Sequence, residues 1–155
     1  MDNESLELSV TRYIAAPPAT VWQVMTARQQ EWWCPVPWRA EVIEQDWRAG
    51  GKCAMVFKGP EGEEMPQVGT FLEVTPGVRF VTTDAVVQDS SGQWRTAGPF
   101  MIGTWEIAPE GDGTRYTARA LHWDADQHKQ HEDMGFIDGW TACADQLAAI
   151  CEKES

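Results

Sequence analysis

Three histidines, His122, His128 and His131, lie in a short stretch that also carries several carboxylates. His128 and His131 are three residues apart, so on a helix they share one face. Two imidazoles and a carboxylate could bind a divalent metal ion. However, the spacing matches no zinc motif, and acidic residues near a helix N-terminus are also favoured by the helix dipole. The sequence therefore predicts neither a metal site nor a cofactor.

His122 differs from the other two because strand alternation turns it inward, on the same face as Tyr116 and Ala120. It is either a core histidine with satisfied hydrogen bonds, or a polar anchor or acid–base group for a ligand. In an enzyme it would act with a cavity carboxylate such as Glu73. A serine triad is excluded because no Gly-x-Ser-x-Gly occurs, and Cys34 has no basic partner that the sequence identifies. No catalytic residue is assigned.

Tryptophan is unusually frequent, with nine residues in a chain of 155. Each indole carries a large apolar area and one N–H donor. A small core rarely needs so many, so one hypothesis is a pocket lined by tryptophan. The alternative is a solid core of bulky side chains with a few exposed rings.

Alternating hydrophobicity and turn signals predict a chain made mostly of strands. Residues 6–11 form the first strand, and Pro17-Pro18 begins a short helix that ends before Trp32. Further strands are predicted at residues 39–47, 52–58, 67–74, 78–87, 100–107 and 114–122. The links are too short for parallel crossovers, so the strands form one antiparallel, meander-like sheet of about seven.

The last predicted element is a long helix after Asp124, which with Gln127 forms a capping-box pattern. Its apolar residues recur at intervals of three and four, giving one wide apolar face. Gly135 and Gly139 interrupt this region, which indicates close backbone approach or room for a bulky group. A sheet with one apolar face needs a cover, and this helix supplies it. The sequence therefore predicts a single α+β domain over residues 1–155.

The charge balance excludes several classes of partner. Twelve Lys and Arg against 24 Asp and Glu give a net charge of -12, which disfavours nucleic acid and anionic membrane surfaces. No apolar stretch approaches the roughly 20 residues of a membrane span, and the first residues lack the pattern of a secretory signal. Cys143 and Cys151, eight residues apart on one helix, would be about 12 Å apart, too far for a disulfide. We expect reduced thiols and a cytoplasmic protein.

Several phrases of the sequence resemble the SRPBCC (START/Bet v 1-like) superfamily, and within it bacterial single-domain proteins related to the activator of heat-shock-protein-90 ATPase. The phrases are TRYIAAPP (11–18) running into Val21-Trp22, WWCP (32–35), RAGGK (48–52), GPEG (59–62), GTFLEV (69–74) and MGFIDGW (134–140). They keep their order over nearly the whole chain. The resemblance implies a helix-grip fold, in which a curved antiparallel sheet wraps the long helix and a cavity often remains between them.

Strand alternation and the resemblance together predict a cavity for a hydrophobic or amphipathic small molecule. Small residues such as Gly103 and Ala118 leave space, and methionine and aromatic side chains form adaptable walls. The predicted ligand-binding residues are Trp33, Met55, Phe57, Phe71, Phe80, Met101, Trp105, His122, Met134, Ile137 and Trp140. Two alternatives stay open: a polyketide-cyclase-like or hydrolase-like enzyme that uses this cavity, and an interaction protein related to the chaperone activators, which would use the acidic surface or the Trp32-Trp33 loop.

Overall fold

The structure, a computed structural model, describes residues 6–98 and 101–154. The strands are β1 (Glu7–Ile14), β2 (Arg39–Gln45), β3 (Lys52–Lys58), β4 (Glu64–Thr75), β5 (Arg79–Thr83), β6 (Val86–Gln88), β7 (Trp94–Thr96), β8 (Met101–Glu110) and β9 (Gly113–His122). The helices are α1 (Pro18–Ala27), α2 (Gln29–Trp32), α3 (Ala125–Asp133) and α4 (Phe136–Glu154).

Seven of the strands form one antiparallel sheet in the order β1-β9-β8-β5-β4-β3-β2. Neighbours in this order are mostly joined by short turns, which only antiparallel pairing allows. The first strand closes the far edge by pairing with β9, with Leu8 opposite Ala120. The predicted α+β class, the seven-stranded antiparallel sheet and the long C-terminal helix of a helix-grip fold are confirmed.

The strand predicted over residues 78–87 is divided into β5 and β6. Thr83, at the end of β5, donates its hydroxyl to Met101 O and accepts from the Ala85 N–H, both at 3.2 Å. Such side-chain bonds compete with ladder bonds and turn the backbone. The chain therefore leaves the main sheet here, and β6 pairs with β7 in a separate two-stranded sheet.

Other strand boundaries also differ from the prediction: β1 ends at Ile14 instead of residue 11, β2 at Gln45 instead of residue 47, and β8 at Glu110 instead of residue 107. β4 begins at Glu64, three residues early, and includes Pro66. Proline is tolerated there because β5 pairs with β4 only from Thr70 onward, so among the described residues Pro66 has a ladder partner on the β3 side alone. β8 runs from Met101 to Glu110, and the predicted start at Phe100 lies outside the described residues.

The C-terminal helix is broken into α3 and α4, whereas one continuous helix was predicted. Gly135 adopts φ +92°, the left-handed conformation that glycine favours, and its N–H donates to Glu132 O at 3.1 Å. The predicted cap is present, since Asp124 accepts from the Gln127 N–H at 2.9 Å. A Cβ at Gly139 would lie 3.9 Å from Pro35, an ordinary contact, so close backbone approach does not explain this glycine.

The interior between α4 and the β1–β9 side of the sheet is filled with side chains. Leu147, Ala148 and Cys151 of α4 are fully buried. Trp32 and Tyr116 are also fully buried, with their rings edge to face and centroids 6.0 Å apart. This part of the molecule is the solid core that one interpretation of the sequence predicted. The interior is less completely filled at the other end of the sheet, beside β3 and β4.

Candidate functional site

A pocket of about 290 Å³ lies between the sheet and the junction of α3 and α4. Its walls come from β3, β4, β5 and β8 on one side and from the two C-terminal helices and the segment around Trp33 on the other. Met65, Val68 and Met134 line it and are also exposed, so the pocket opens to solvent between β4 and the helix junction. Pockets for small molecules have this concave, mainly apolar character.

The structure brings eight of the eleven predicted residues together around this pocket. They are Trp33, Met55, Phe57, Phe80, Met101, Trp105, Met134 and Trp140. The strand residues among them face the pocket because side chains alternate between the two faces of a strand. On β3, Met55 and Phe57 line the pocket together with Cys53. On β8, Met101 and Trp105 do the same.

Stacked aromatic rings join the sheet to the helix at this pocket. Phe80 stacks on Trp105 with centroids 5.1 Å apart, and Trp105 stacks on Trp140 with centroids 5.5 Å apart. Trp33 stands nearly perpendicular to both tryptophans, at 5.4 Å from Trp105 and 5.1 Å from Trp140. Offset stacks and edge-to-face pairs are the favoured geometries for such rings. The four rings therefore form one continuous aromatic wall of the pocket.

Phe71 is fully buried but does not line the pocket. The centroid of its ring lies 4.6 Å from that of Trp47. A bulge between Phe71 and Glu73 places one extra residue in β4. Phe71 and Glu73 would share a face in a regular strand, and the bulge lets Phe71 point inward while Glu73 binds Arg79 at 2.8 Å. Glu73 is therefore not a cavity carboxylate.

Ile137 also lies away from the pocket, with 47% of its surface exposed. Phe136 and Trp140, four residues apart, set the buried face of α4, and the residue after Phe136 is turned about 100° from that face. Because α4 begins directly after the break at Gly135, the position of this break determines which residues of α4 face inward and leaves Ile137 facing outward. Met134, in the break itself, lines the pocket although it is 67% exposed.

His122 lies behind the pocket lining and is linked to it by a second histidine. Its Nδ1 donates to Leu6 O at 2.8 Å, so in the neutral ring Nε2 accepts from His131 Nδ1 at 2.9 Å. Burial lowers the pKa of His122, and the same cause together with the neighbouring histidines lowers the pKa of His131 to about 4. His131 itself lines the pocket as a neutral imidazole.

Several lining residues were not among those predicted. The polar ones include Gln67, Thr82, Asp84 and His131. Alternation back from Gly69 reaches Gln67 within the predicted strand 67–74, and it would have reached Met65 had that strand been extended. The turn after β5 that brings in Asp84 leaves no periodic signal. Asp84 accepts from the Met101 N–H at 3.3 Å.

The cysteines are thiols suited to packing. All four are free, and burial raises the pKa of Cys34 and Cys143 to about 12 and that of Cys53 and Cys151 to about 11. A thiol is a nucleophile only as the thiolate.

Within residues 6–98 and 101–154, no three His, Cys, Asp or Glu side chains are grouped to hold a metal ion.

Comparisons with known proteins agree with the fold. The family model described as Activator of Hsp90 ATPase homolog 1-like protein matches residues 15–152. A crystal structure of a protein from Nitrosomonas europaea is 37% identical, with a TM-score of 0.89 and coverage of 99% of this chain and 98% of that one. A crystal structure of a Mycobacterium smegmatis protein is 25% identical, with a TM-score of 0.81 and coverage of 99% and 96%. No curated protein matches the chain.

None of the described helices is both long enough and apolar enough to cross a membrane.

Proposed function

Because this chain belongs to the Activator of Hsp90 ATPase homolog 1-like family, of SRPBCC type, we propose that it binds a hydrophobic or amphipathic small molecule in the pocket between the sheet and the α3–α4 junction. Proteins of this fold commonly bind hydrophobic ligands. The observation that carries the proposal is the pocket of about 290 Å³ with its wall of aromatic and methionine side chains.

The aromatic and methionine wall of the pocket is better suited to binding a ligand than to catalysing a reaction. Rings and methionine side chains exclude water from an apolar guest, and each square ångström buried contributes about 25 cal/mol. The enzyme that the sequence suggested would need His122 and Glu73 at one cavity. His122 is bonded to Leu6 O behind the lining, and Glu73 is held by Arg79. We therefore do not propose a hydrolase or cyclase that uses this pair.

The interaction-protein alternative also lacks a specific observation. Trp32 is fully buried against Met25, whose carbonyl accepts its indole N–H at 3.3 Å. Trp33 packs its ring against Trp105 and Trp140 at the pocket. Both rings therefore make contacts within the fold, and nothing in these contacts favours a role in binding a partner protein.

Binding can be tested with N-phenyl-1-naphthylamine, a neutral apolar dye that fluoresces when it leaves water. We expect saturable binding of one dye per chain. Thr82→Phe puts a ring into the pocket and should weaken the affinity by about tenfold, which is about 1.4 kcal/mol. Val81→Phe is the matched control, because Val81 is next along β5, does not line the pocket and points to the opposite face.

The control variant should bind the dye as the wild type does. Equal affinity in all three proteins, or no saturable binding to the wild type, would overturn the proposal. Circular dichroism of each variant checks that the sheet is intact.

A further inference from the structure

The described lining of the pocket carries one charged side chain, and it is negative. Among its described lining residues, Asp84 is a carboxylate and none is a lysine or an arginine. His131, the other ionisable group that could be positive there, has a pKa of about 4 and is neutral at pH 7. A ligand carboxylate in this pocket would therefore meet no positive side chain.

Taking an anion out of water without a cationic partner is costly, because the lost hydration is not replaced. A cation in the same place meets the Asp84 carboxylate. Aromatic rings attract a cation that reaches an open face, at up to about 6 Å from the ring centroid. The rings that line the pocket are those of Trp33, Phe57, Phe80, Trp105 and Trp140. Both faces of Trp105 are covered by its stacks with Phe80 and Trp140, so the other rings supply this attraction.

The charge of the whole chain acts in the same direction. With a net charge of -12, the molecule attracts cations and repels anions over the range of a Debye length, about 10 Å at 0.1 M salt. The local and the overall charge thus select the same kind of head group.

We propose that the natural ligand is a cationic amphiphile, an apolar body carrying an amine or ammonium group that lies near Asp84. This inference rests on the proposed function and names the ligand class for the same pocket. Asp84 lies at the end of β5, beside Thr83, on the sheet side of the lining. Its Oδ1 accepts the Met101 N–H, which holds the side chain in position. The apolar body would then contact the rings and the methionines.

Three probes of equal length separate charge from apolar contact: 4-phenylbutylamine, 4-phenylbutanol and 4-phenylbutyrate, titrated calorimetrically at pH 7.5. We expect the amine to bind about fivefold more tightly than the alcohol, the effect of about 1 kcal/mol from a partly exposed ion pair. The carboxylate should bind more weakly than the alcohol. Added salt should weaken binding of the amine and leave that of the alcohol unchanged.

Asp84→Asn keeps an oxygen that can accept the Met101 N–H and removes the charge. Circular dichroism of the variant checks that the fold is retained. In this variant the amine should bind no better than about twofold above the alcohol, an allowance for the remaining cation–π attraction. The control is Asp112→Asn, which makes the same change of net charge in the exposed β8–β9 turn and should preserve the preference.

The outcomes distinguish this inference from the function on which it rests. If the alcohol binds but the carboxylate equals or exceeds the amine, or if Asp84→Asn leaves the preference intact, the cationic ligand is excluded and the binding function stands. If none of the three probes binds the wild-type protein but N-phenyl-1-naphthylamine does, the cationic ligand is excluded and the binding function stands; if the dye does not bind either, both proposals are overturned.

Discussion

Trp105 of β8 and Trp140 of α4 stack with their ring centroids 5.5 Å apart and their planes inclined by 18°. One ring belongs to the sheet and the other to the helix that covers it. Both rings line the pocket, and both are largely buried. The contact that joins the two layers therefore also forms part of the binding wall, so stability and binding are coupled at this pair.

A double-mutant cycle on this pair should show that coupling. Trp105→Leu and Trp140→Leu should each destabilise the fold by about 2 kcal/mol or more through lost apolar contact. The double variant should lose about 1 kcal/mol less than their sum, because the stacking is lost only once. Urea unfolding measures all four proteins.

Trp94 provides the control for that cycle, since it is half-exposed on β7, in the separate two-stranded sheet. Trp105→Leu combined with Trp94→Leu should be additive. Strict additivity of the Trp105 and Trp140 substitutions as well would contradict the stabilising role of the stack.

Two glycine-to-alanine substitutions should have opposite effects on stability. A Cβ at Gly103 would lie 2.6 Å from Cη2 of Trp105, whose ring is fixed between Phe80 and Trp140, so Gly103→Ala should cost about 1–3 kcal/mol. Gly139 is the fourth residue of α4, and a Cβ there would make only an ordinary contact with Pro35 at 3.9 Å, so Gly139→Ala should stabilise by up to about 1 kcal/mol. Thermal unfolding of the two variants gives the sign directly, and a stabilised Gly103→Ala protein would show that the pocket wall is not tightly packed.

The buried histidine pair predicts a loss of stability in mild acid. The folded protein holds the pKa of His131 at about 4, against 6.5 for an unperturbed histidine, so the unfolded chain binds more protons between these values. This contribution to stability is fully present above about pH 6.5 and is lost as the pH falls toward 4. His131→Gln retains a donor for His122 Nε2 but does not titrate.

The free energy of unfolding should therefore fall more steeply with acid in the wild type than in His131→Gln, by up to about 1.4 kcal/mol per pH unit between pH 6.5 and 4. Urea unfolding at several pH values measures both slopes. The carboxylates are common to the two proteins and cancel in the comparison. Parallel curves would mean that His131 titrates normally in the folded state.

Period-two alternation was sufficient to predict the inner face of the sheet. Tyr116, Ala118 and Ala120 on β9 follow it without interruption, because a regular strand fixes where each side chain points. The same rule predicted that Met55 and Trp105 face inward, and both line the pocket. It is a local rule, so it works wherever the backbone stays regular.

Some missed lining residues, such as Gln67 and Thr82, lie on regular strands, but the other features that sequence reasoning missed depend on irregular backbone. The bulge beside Phe71 reverses the alternation of β4, and the left-handed Gly135 divides the helix and turns Ile137 outward. Asp84 reaches the pocket through the turn that ends β5. Each of these is decided by tertiary packing, which has no fixed period in the sequence.

Cys53 offers a chemical test of the pocket that does not depend on mutation. It is the cysteine that lines the pocket and is only partly buried, while the other three are buried. Its pKa is raised to about 11 by burial, so its thiolate is scarce at pH 8 and alkylation should be slow. Iodoacetamide should nevertheless modify Cys53 before the others, and the rate should rise with pH.

N-phenyl-1-naphthylamine should protect Cys53, because a dye in the pocket covers the thiol. Peptide mass spectrometry, with urea-unfolded protein as the reference in which all four cysteines react, identifies the modified position. Faster alkylation of Cys34 or Cys143 than of Cys53 would contradict the burial pattern. Saturating dye that leaves the rate at Cys53 unchanged would mean that the dye binds elsewhere, since a guest cannot fill this pocket without excluding the reagent from its wall.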